Sequence, residues 1–288
     1  MRRNRLTTAA LCLLAALTLA RGASAQVPAP ARDAERARAK ALWEEAVRAK
    51  GGRERLLSVK SLLITSTIYA RAPRGSNIKD AVRLYAMPGK VWVYTHTPEF
   101  AVKLDATVIN TERKLCMLTL APAGSGVSPL SPCLSETWTQ YLLQDPVIYL
   151  METEWVRPVP LRARTEGKGK KQVDVVEVEV GQLRADFYLD GKTGLPFRIV
   201  TEWYGGIGRA TGSLGPMEVL LEDYAAVEGV QMPRRVTRRM LPPHRESVGD
   251  PLTGDEERAR YQFNVAYDPA LFDAPVPKNV KPDAWRRR

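Results

Sequence analysis

From Ser61 onward, apolar and polar residues alternate with a period of two, the spacing of a strand with one buried face. Leu62, Ile64 and Ile68 alternate with Leu63, Thr65, Thr67 and Tyr69. The same pattern predicts strands over 79–87, 91–96, 101–110 and 115–120, then over 161–165, 173–180, 183–189, 195–204, 217–224, 231–241 and 258–267. Glu166-Gly167-Lys168-Gly169-Lys170, Asp190-Gly191-Lys192-Thr193-Gly194 and Glu228-Gly229 read as the hairpin turns between them. Connections this short allow only antiparallel neighbours. Before Ser61 the period is helical. Residues 33–50 place Leu42, Ala46 and Ala49 on one stripe with Trp43 and Val47 beside it, and Gly51-Gly52 closes the helix. A second short turn is expected over 53–59. A helical stretch over 135–151 is expected to break near Asp145-Pro146, where proline lacks an amide proton. The fold class is therefore mainly β (α+β), a long antiparallel meander with two or three helices.

One face of this meander is strongly apolar. Val176, Val178 and Val180 oppose Glu177 and Glu179, and Leu183, Ala185, Phe187 and Leu189 oppose Arg184 and Asp186. Phe197, Ile199 and Trp203 oppose Arg198 and Glu202, while Tyr261, Phe263 and Val265 oppose Arg260, Gln262 and Asn264. A sheet with that many inward apolar residues must curl around something. The first helix, mostly alanine, fills little volume. Two fillings follow: a ligand cavity, or a core completed by the sheet's own side chains. If it is a cavity, Ile64, Ile68, Val178 and Phe187 line it, together with Phe197, Ile199, Trp203 and Phe263.

Charge enters next. The chain has 288 residues with 43 Lys+Arg against 32 Asp+Glu, a formal net charge of +11. Arg2, Arg3 and Arg5, an apolar run from Leu6 to Ala20, and Ala23-Ser24-Ala25 form the pattern of a secretory signal, residues 1–25, cut before Gln26. Its four arginines leave +7 on the mature chain. Cys12 lies inside the signal, so no lipoprotein is expected, and no later stretch reaches the ~18 apolar residues of a membrane helix. A Pro/Ala spacer (26–32), one domain (33–277) and a basic tail (278–288) follow. In an oxidising compartment Cys116 and Cys133 are expected to pair, tethering the Ala121–Pro129 loop by roughly 3 kcal/mol in the chain-entropy picture.

Three segments resemble a known group. Ala49-Lys50-Gly51-Gly52-Arg53-Glu54-Arg55-Leu56, with Val59-Lys60-Ser61 after it, resembles the start of exported proteins similar to outer-membrane lipoprotein-sorting proteins. Tyr188-Leu189-Asp190-Gly191-Lys192-Thr193-Gly194-Leu195-Pro196-Phe197-Arg198 resembles a strand–turn–strand of the LolA/LolB and RseB-like superfamily. Asp223-Tyr224, Glu228-Gly229-Val230-Gln231-Met232-Pro233 and Tyr267-Asp268-Pro269-Ala270-Leu271-Phe272 resemble its C-terminal strands and tail. The resemblance implies a periplasmic, incomplete antiparallel β-barrel of about eleven strands, plugged by helices, with acyl chains in its interior. It also implies an arginine that holds the lid. Arg71, Arg74 and Arg83 lie near the corresponding strands, and Arg83 is the candidate.

No chemistry competes with this. A Gly-x-Ser-x-Gly elbow and a His-Glu-x-x-His motif are both absent, and His96 and His244 supply at most two imidazoles. Gly205-Gly206-Ile207-Gly208-Arg209 follows a strand but precedes no helix, so it reads as a wide hairpin. Glu152/Glu154, Glu177/Glu179 and Glu218/Glu222 read as solvated carboxylates. Lys168/Lys170/Lys171, Arg234/Arg235, Arg238/Arg239 and Arg286 to Arg288 lack interleaved aromatics, so no nucleic acid is expected. They read as solvated surface or as attraction to an anionic membrane surface. No catalytic residue, metal or cofactor is expected. The function expected is a non-enzymatic carrier or chaperone for lipid or lipoprotein acyl chains; the alternative is a sensor or interaction module that binds an envelope protein partner through the sheet rim or the 241–257 loop.

Overall fold

A computed structural model of the chain describes residues 29–72, 75–96, 104–110, 115–120, 127–129, 145–181, 183–205, 212–241 and 254–272. A first meander runs through β1 (Ser61–Ala72), β2 (Gly75–Ala86), β3 (Lys90–His96), β4 (Leu104–Asn110), β5 (Leu115–Leu120) and β6 (Val127–Pro129). A second runs through β7 (Val159–Glu166), β8 (Val173–Val180), β9 (Leu183–Leu189), β10 (Pro196–Gly205), β11 (Gly212–Val227), β12 (Val230–Met240) and β13 (Gly254–Phe263). Pairing of β1 with β13, from Leu62↔Phe263 to Arg71↔Gly254, joins the two meanders into one antiparallel sheet. Its order is β6-β5-β4-β3-β2-β1-β13-β12-β11-β10-β9-β8-β7. Among the described residues, β6 and β7 are its edges, so the sheet does not close. Among the described residues it has thirteen strands, where about eleven were expected. The surplus includes β6, three residues within a stretch read as loop, too short to show alternation.

Helix α1 (Ala29–Lys50) begins inside the segment read as a spacer, and α2 (Arg53–Ser58) follows it. The buried stripe of α1 is Ala39, Trp43, Ala46, Val47 and Lys50, rotated from the one expected. Leu42 and Ala49 are left half-buried at its margin. Trp43 sets this rotation, because its ring is the largest group the helix can bury. It meets Phe187 of β9 edge-to-face at 5.0 Å, and its indole N–H donates to Glu152 at 2.8 Å. Glu152 also accepts from Arg53 at 2.8 Å, so one carboxylate ties both helices to the chain after residue 151.

The faces of the sheet divide as the alternation requires. Leu62, Ile64, Tyr85, Val176, Val178, Phe187 and Ile199 join one large inner core. On the outer face Leu63, Leu84, Ala86, Trp92 and Tyr94 form a second cluster, covered by Phe272 of the 3-10 turn Pro269–Phe272. The tail motif Tyr267 to Phe272 is thus a structural clasp, its two rings in edge contact at 5.5 Å. Three carboxylates read as solvated are in fact buried. Glu218 is held by Arg198 at 2.5 Å and by Arg239, Glu177 by Arg162 and by Arg184 at 3.4 Å, and Glu152 as described. Alternation places Glu177 and Glu218 correctly, but their arginine partners lie on neighbouring strands and shield them from water, as Arg53 of α2 does for Glu152.

Gly51 lets the end of α1 approach the β11–β12 turn: a side chain there would meet the Gly229 carbonyl at 2.7 Å. That approach buries Lys50 completely, with its ammonium 4.8 Å from the Tyr224 ring centroid. Its Nζ has no hydrogen-bond partner, and desolvation lowers its pKa from 10.5 to about 7. The unfolded chain therefore carries a proton here between about pH 7 and 10.5 that the folded chain lacks, so this group makes stability rise with pH across that window. Lys50→Met is expected to stabilise the protein by roughly 2–4 kcal/mol near pH 7, a gain that shrinks toward pH 10.5. Denaturant unfolding across that range measures it, and a variant no more stable than wild type at pH 7 would contradict an amine buried without a hydrogen-bond partner.

Candidate functional site

Residues 145–150 form a short helix, α3, that lies against the inner face of the sheet. The break expected near Asp145-Pro146 falls at the boundary of the described residues, and the chain is helical from Asp145 on. Proline loses only its own donor, and its fixed φ suits a helix. Residues 135–144 lie outside the described residues. Val147, Ile148, Tyr149, Leu150 and Met151 are all buried in the inner core. The helix ends at Met151, which adopts a positive φ of 71°. Thr153 then accepts from the amides of Trp155 at 3.1 Å and Val156 at 2.9 Å, turning the chain toward β7.

The polar side of α3 meets a buried group of paired charges on the inner face. Arg83 of β2 lies across from Ile64, and Ile64 in turn from Tyr261 of β13. Glu257 of β13 pairs with Val236 of β12, next to Arg238. The register therefore brings two guanidiniums to either side of one carboxylate. Glu257 accepts from Arg83, from Arg238 at 2.9 Å and from the Tyr149 hydroxyl at 2.5 Å. Tyr149 itself accepts from Arg83 at 3.1 Å and from Arg238 at 2.6 Å. Asp145 completes the α3 side, accepting from Arg83 at 2.8 Å and from the Tyr85 hydroxyl at 2.6 Å.

Burial alone would raise the Glu257 carboxyl, but Arg83, Arg238 and the Tyr149 hydrogen bond outweigh it and hold it down to about 2. Burial pushes the Tyr149 phenol well above its ordinary range, so it stays a neutral donor. Asp255, 3.3 Å from Arg238, is raised by burial despite that arginine. The arrangement has the chemistry of a latch. Every polar atom of α3 that faces the sheet is answered by a charge on β2, β12 or β13. Nothing in it resembles a nucleophile with its base. Among the described residues, no group of three or more His, Cys, Asp or Glu is placed to hold a metal ion.

Of the residues nominated from sequence, Arg83 stands in this latch. Ile64, Val178, Phe187, Ile199 and Phe263 are buried in the inner core around it. Ile68 is half-buried and outside that core. Phe197 sits where the β9–β10 register shifts and turns its ring to the outer-face Tyr188 at 6.4 Å. The Trp203 and Arg71 side chains, Arg74, His244 and the Cys116–Cys133 pairing lie outside what is described. Arg238, read as solvated, is 8% exposed and belongs to the latch. Asp145, Tyr149 and Glu257 were missed. The signal was present for Glu257, which shares inward parity with Ala259, Tyr261 and Phe263; a charge at an apolar-face position is the mark of a buried pair.

Among the described residues, α3 packs closely on the inner core. A cavity of about 20 Å³ remains there, lined by Val147 and Ile148 on the helix and by Val180, Leu183, Phe187 and Ile199 on the sheet. That is room for about one water molecule.

No protein-family model matches the chain, and no curated protein matches it in sequence. Several solved structures are similar in chain path. A DUF1329 family protein from Desulfovibrio piger is 12% identical over 81% of this chain and 96% of its own, with a TM-score of 0.49. A LolA superfamily protein from Nitrosomonas europaea is 14% identical over the same 81% and 96%, with a TM-score of 0.47. A candidate outer membrane lipoprotein-sorting domain from Vibrio parahaemolyticus is 12% identical over 80% and 97%, with a TM-score of 0.45. The second and third carry the names of the group that the sequence resembles. At such identities no residue role passes from them to this chain.

The latch gives a stability prediction. Glu257 contributes stability that is present above its unfolded value of 4.5 and lost as pH falls from there toward about 2. Glu257→Gln keeps the shape but leaves two buried guanidiniums without their shared carboxylate, so a loss of about 3–5 kcal/mol at pH 7 is expected. The variant's acid limb should also be shallower between pH 4.5 and 2. Denaturant unfolding at several pH values checks both, and unchanged stability at pH 7 would contradict the account.

Proposed function

We propose that the protein is an exported, non-enzymatic carrier of acyl chains, those of a lipid or a lipoprotein, which α3 replaces in the half-barrel when no ligand is bound. One observation carries this reading: an ion-paired latch set between α3 and the apolar inner core. A helix meant to stay would be seated more simply by apolar side chains, because buried charges gain little net stability over hydrophobic residues of similar volume. What buried charges offer instead is a contact that breaks as a unit. Removal of α3 would uncover Val178, Phe187 and Ile199 as a continuous apolar floor.

The magnitudes are compatible with exchange. Five buried side chains of α3 and its end, at roughly 2 kcal/mol each, contribute about 10 kcal/mol of burial. An acyl chain of about 16 carbons at ~0.8 kcal/mol per CH₂ contributes about 12 kcal/mol. Plug and ligand therefore nearly balance, and the latch decides which one occupies the sheet. Export rests on the signal pattern of residues 1–25, with cleavage before Gln26, and in that compartment Cys116 and Cys133 pair to tether the loop before β6.

The test is uptake of an environment-sensitive fluorescent fatty acid of about 16 carbons. Wild-type protein should bind it. Tyr149→Phe, which keeps the ring but removes the hydroxyl shared by Arg83, Arg238 and Glu257, should bind it several-fold more tightly, as should Asp145→Asn. Circular dichroism establishes that each variant is folded. Folded wild type and variants that all fail to take up the probe would sink the proposal.

A further inference from the structure

Arg235 of β12 and Arg258 of β13 stand directly opposite each other at one end of the short β12–β13 ladder, which runs from there to Arg238↔Asp255. Like charges facing each other across two strands cost stability. Beyond this pair the ladder stops, and a cleft of about 880 Å³ opens there, within the size range of ligand sites. Arg234, Arg235, Arg258 and Arg260 line it against a single acid, Asp223, and Val227, Ala259 and Tyr261 supply its apolar part. The Tyr261 hydroxyl donates to the Pro233 carbonyl at 2.5 Å and ties the two strands together there.

The acids in and around the cleft are already engaged. Arg235 lies 3.3 Å from both Glu222 and Asp223, and Arg258 donates to Glu256 at 3.1 Å. Asp80 of β2 accepts from the Thr67 hydroxyl at 3.1 Å. Arg234 and Arg260 are exposed and have no ion pair among the described residues. The Nε of Arg235 is shielded from water and has no hydrogen-bond partner. Two uncompensated guanidiniums and an open donor suit the oxygens of a phosphate. The neighbouring surface is apolar. The Arg258 guanidinium lies over the Tyr69 ring, 5.5 Å from its centroid, and Tyr69 pairs across β1 and β2 with Ile78. Tyr69 and Ile78 are two of the three large apolar side chains exposed among the described residues. A soluble anion needs only the arginines. Arginines beside an exposed tyrosine and isoleucine match a bilayer surface, which offers phosphates and an apolar layer just beneath them.

We propose that this face of the sheet docks on an anionic bilayer, with the phosphate headgroup of one lipid seated in the cleft between Arg234 and Arg260 and with Tyr69 and Ile78 resting in the interface. A phosphate in that place also offsets the facing charges of Arg235 and Arg258. The proposal stands apart from the acyl-chain reading: it uses no residue of the latch, so either can fail alone.

Co-sedimentation of the full-length mature protein with lipid vesicles tests it. Binding is expected to vesicles of equal parts phosphatidylglycerol and phosphatidylcholine, not to phosphatidylcholine alone, and it should weaken as salt rises. Arg234→Gln with Arg260→Gln should weaken partitioning by roughly twentyfold. Tyr69→Ser with Ile78→Ser should weaken it several-fold and leave the salt dependence in place. All four side chains are exposed, so the fold is unaffected, and thermal unfolding checks this. Arg36→Gln with Arg48→Gln, which removes the same charge from the exposed side of α1, should bind like wild type. The proposal is overturned by no binding to the anionic vesicles, by binding that survives either cleft-side double variant, or by an equal loss in the α1 variant, which would reduce the effect to net charge. It is likewise overturned if glycerol phosphate or an acidic peptide binds in the cleft and the vesicles do not bind.

Discussion

The structure turns on one buried carboxylate. Glu257 has no exposure to water, and it is charged because Arg83 and Arg238 flank it and Tyr149 donates to it. Those four residues come from β13, β2, β12 and α3, so a single site couples both meanders across the β1–β13 junction to the helix that fills the interior. The cost of burying these charges is recovered only while all of them are present. This makes the site cooperative: no partial version of it is stable in an apolar interior.

That cooperativity gives α3 an unusual status. Its apolar residues belong to the same core cluster as Trp43 and Phe187, yet its attachment to the sheet is polar. On the α1 side the core is different. There Trp43 and Phe187 pack directly, and Glu152 fastens α1 through the buried Trp43 indole and α2 through the half-exposed Arg53. The molecule thus has one permanently packed end, built on β7 to β9 and α1, and one end whose packing is conditional on a charge network. A binding cavity needs that asymmetry, because a half-barrel that is empty would expose its apolar floor to water.

Much of this was legible in the chain. The bounds of β8 and β9 coincide with the expected ones, because clean alternation is bracketed there by turns. The buried stripe of α1 is rotated about the helix axis from the expected one, because alanines dilute its periodicity and the position of Trp43 decides it. The latch was the least legible part. Arg83 and Glu257 are 174 positions apart, and Tyr149 and Glu257 are 108 apart. A local pattern reads a charge as solvated unless its partner is known, and the partner is supplied by strand order. Arg238 shows this most clearly, since it sits in a basic run that looks like surface and is buried by β13.

Amide hydrogen exchange at neutral pH in the ligand-free protein tests the central claim most directly. Amides of residues 147–150 are compared with those of Val176 and Phe187 in β8 and β9. If α3 is a latched plug, its amides exchange through a local opening well below the free energy of global unfolding, while the β8 and β9 amides wait for the whole sheet. If α3 exchanges only together with β8 and β9, it is a permanent part of the core and the account of a displaceable plug is wrong.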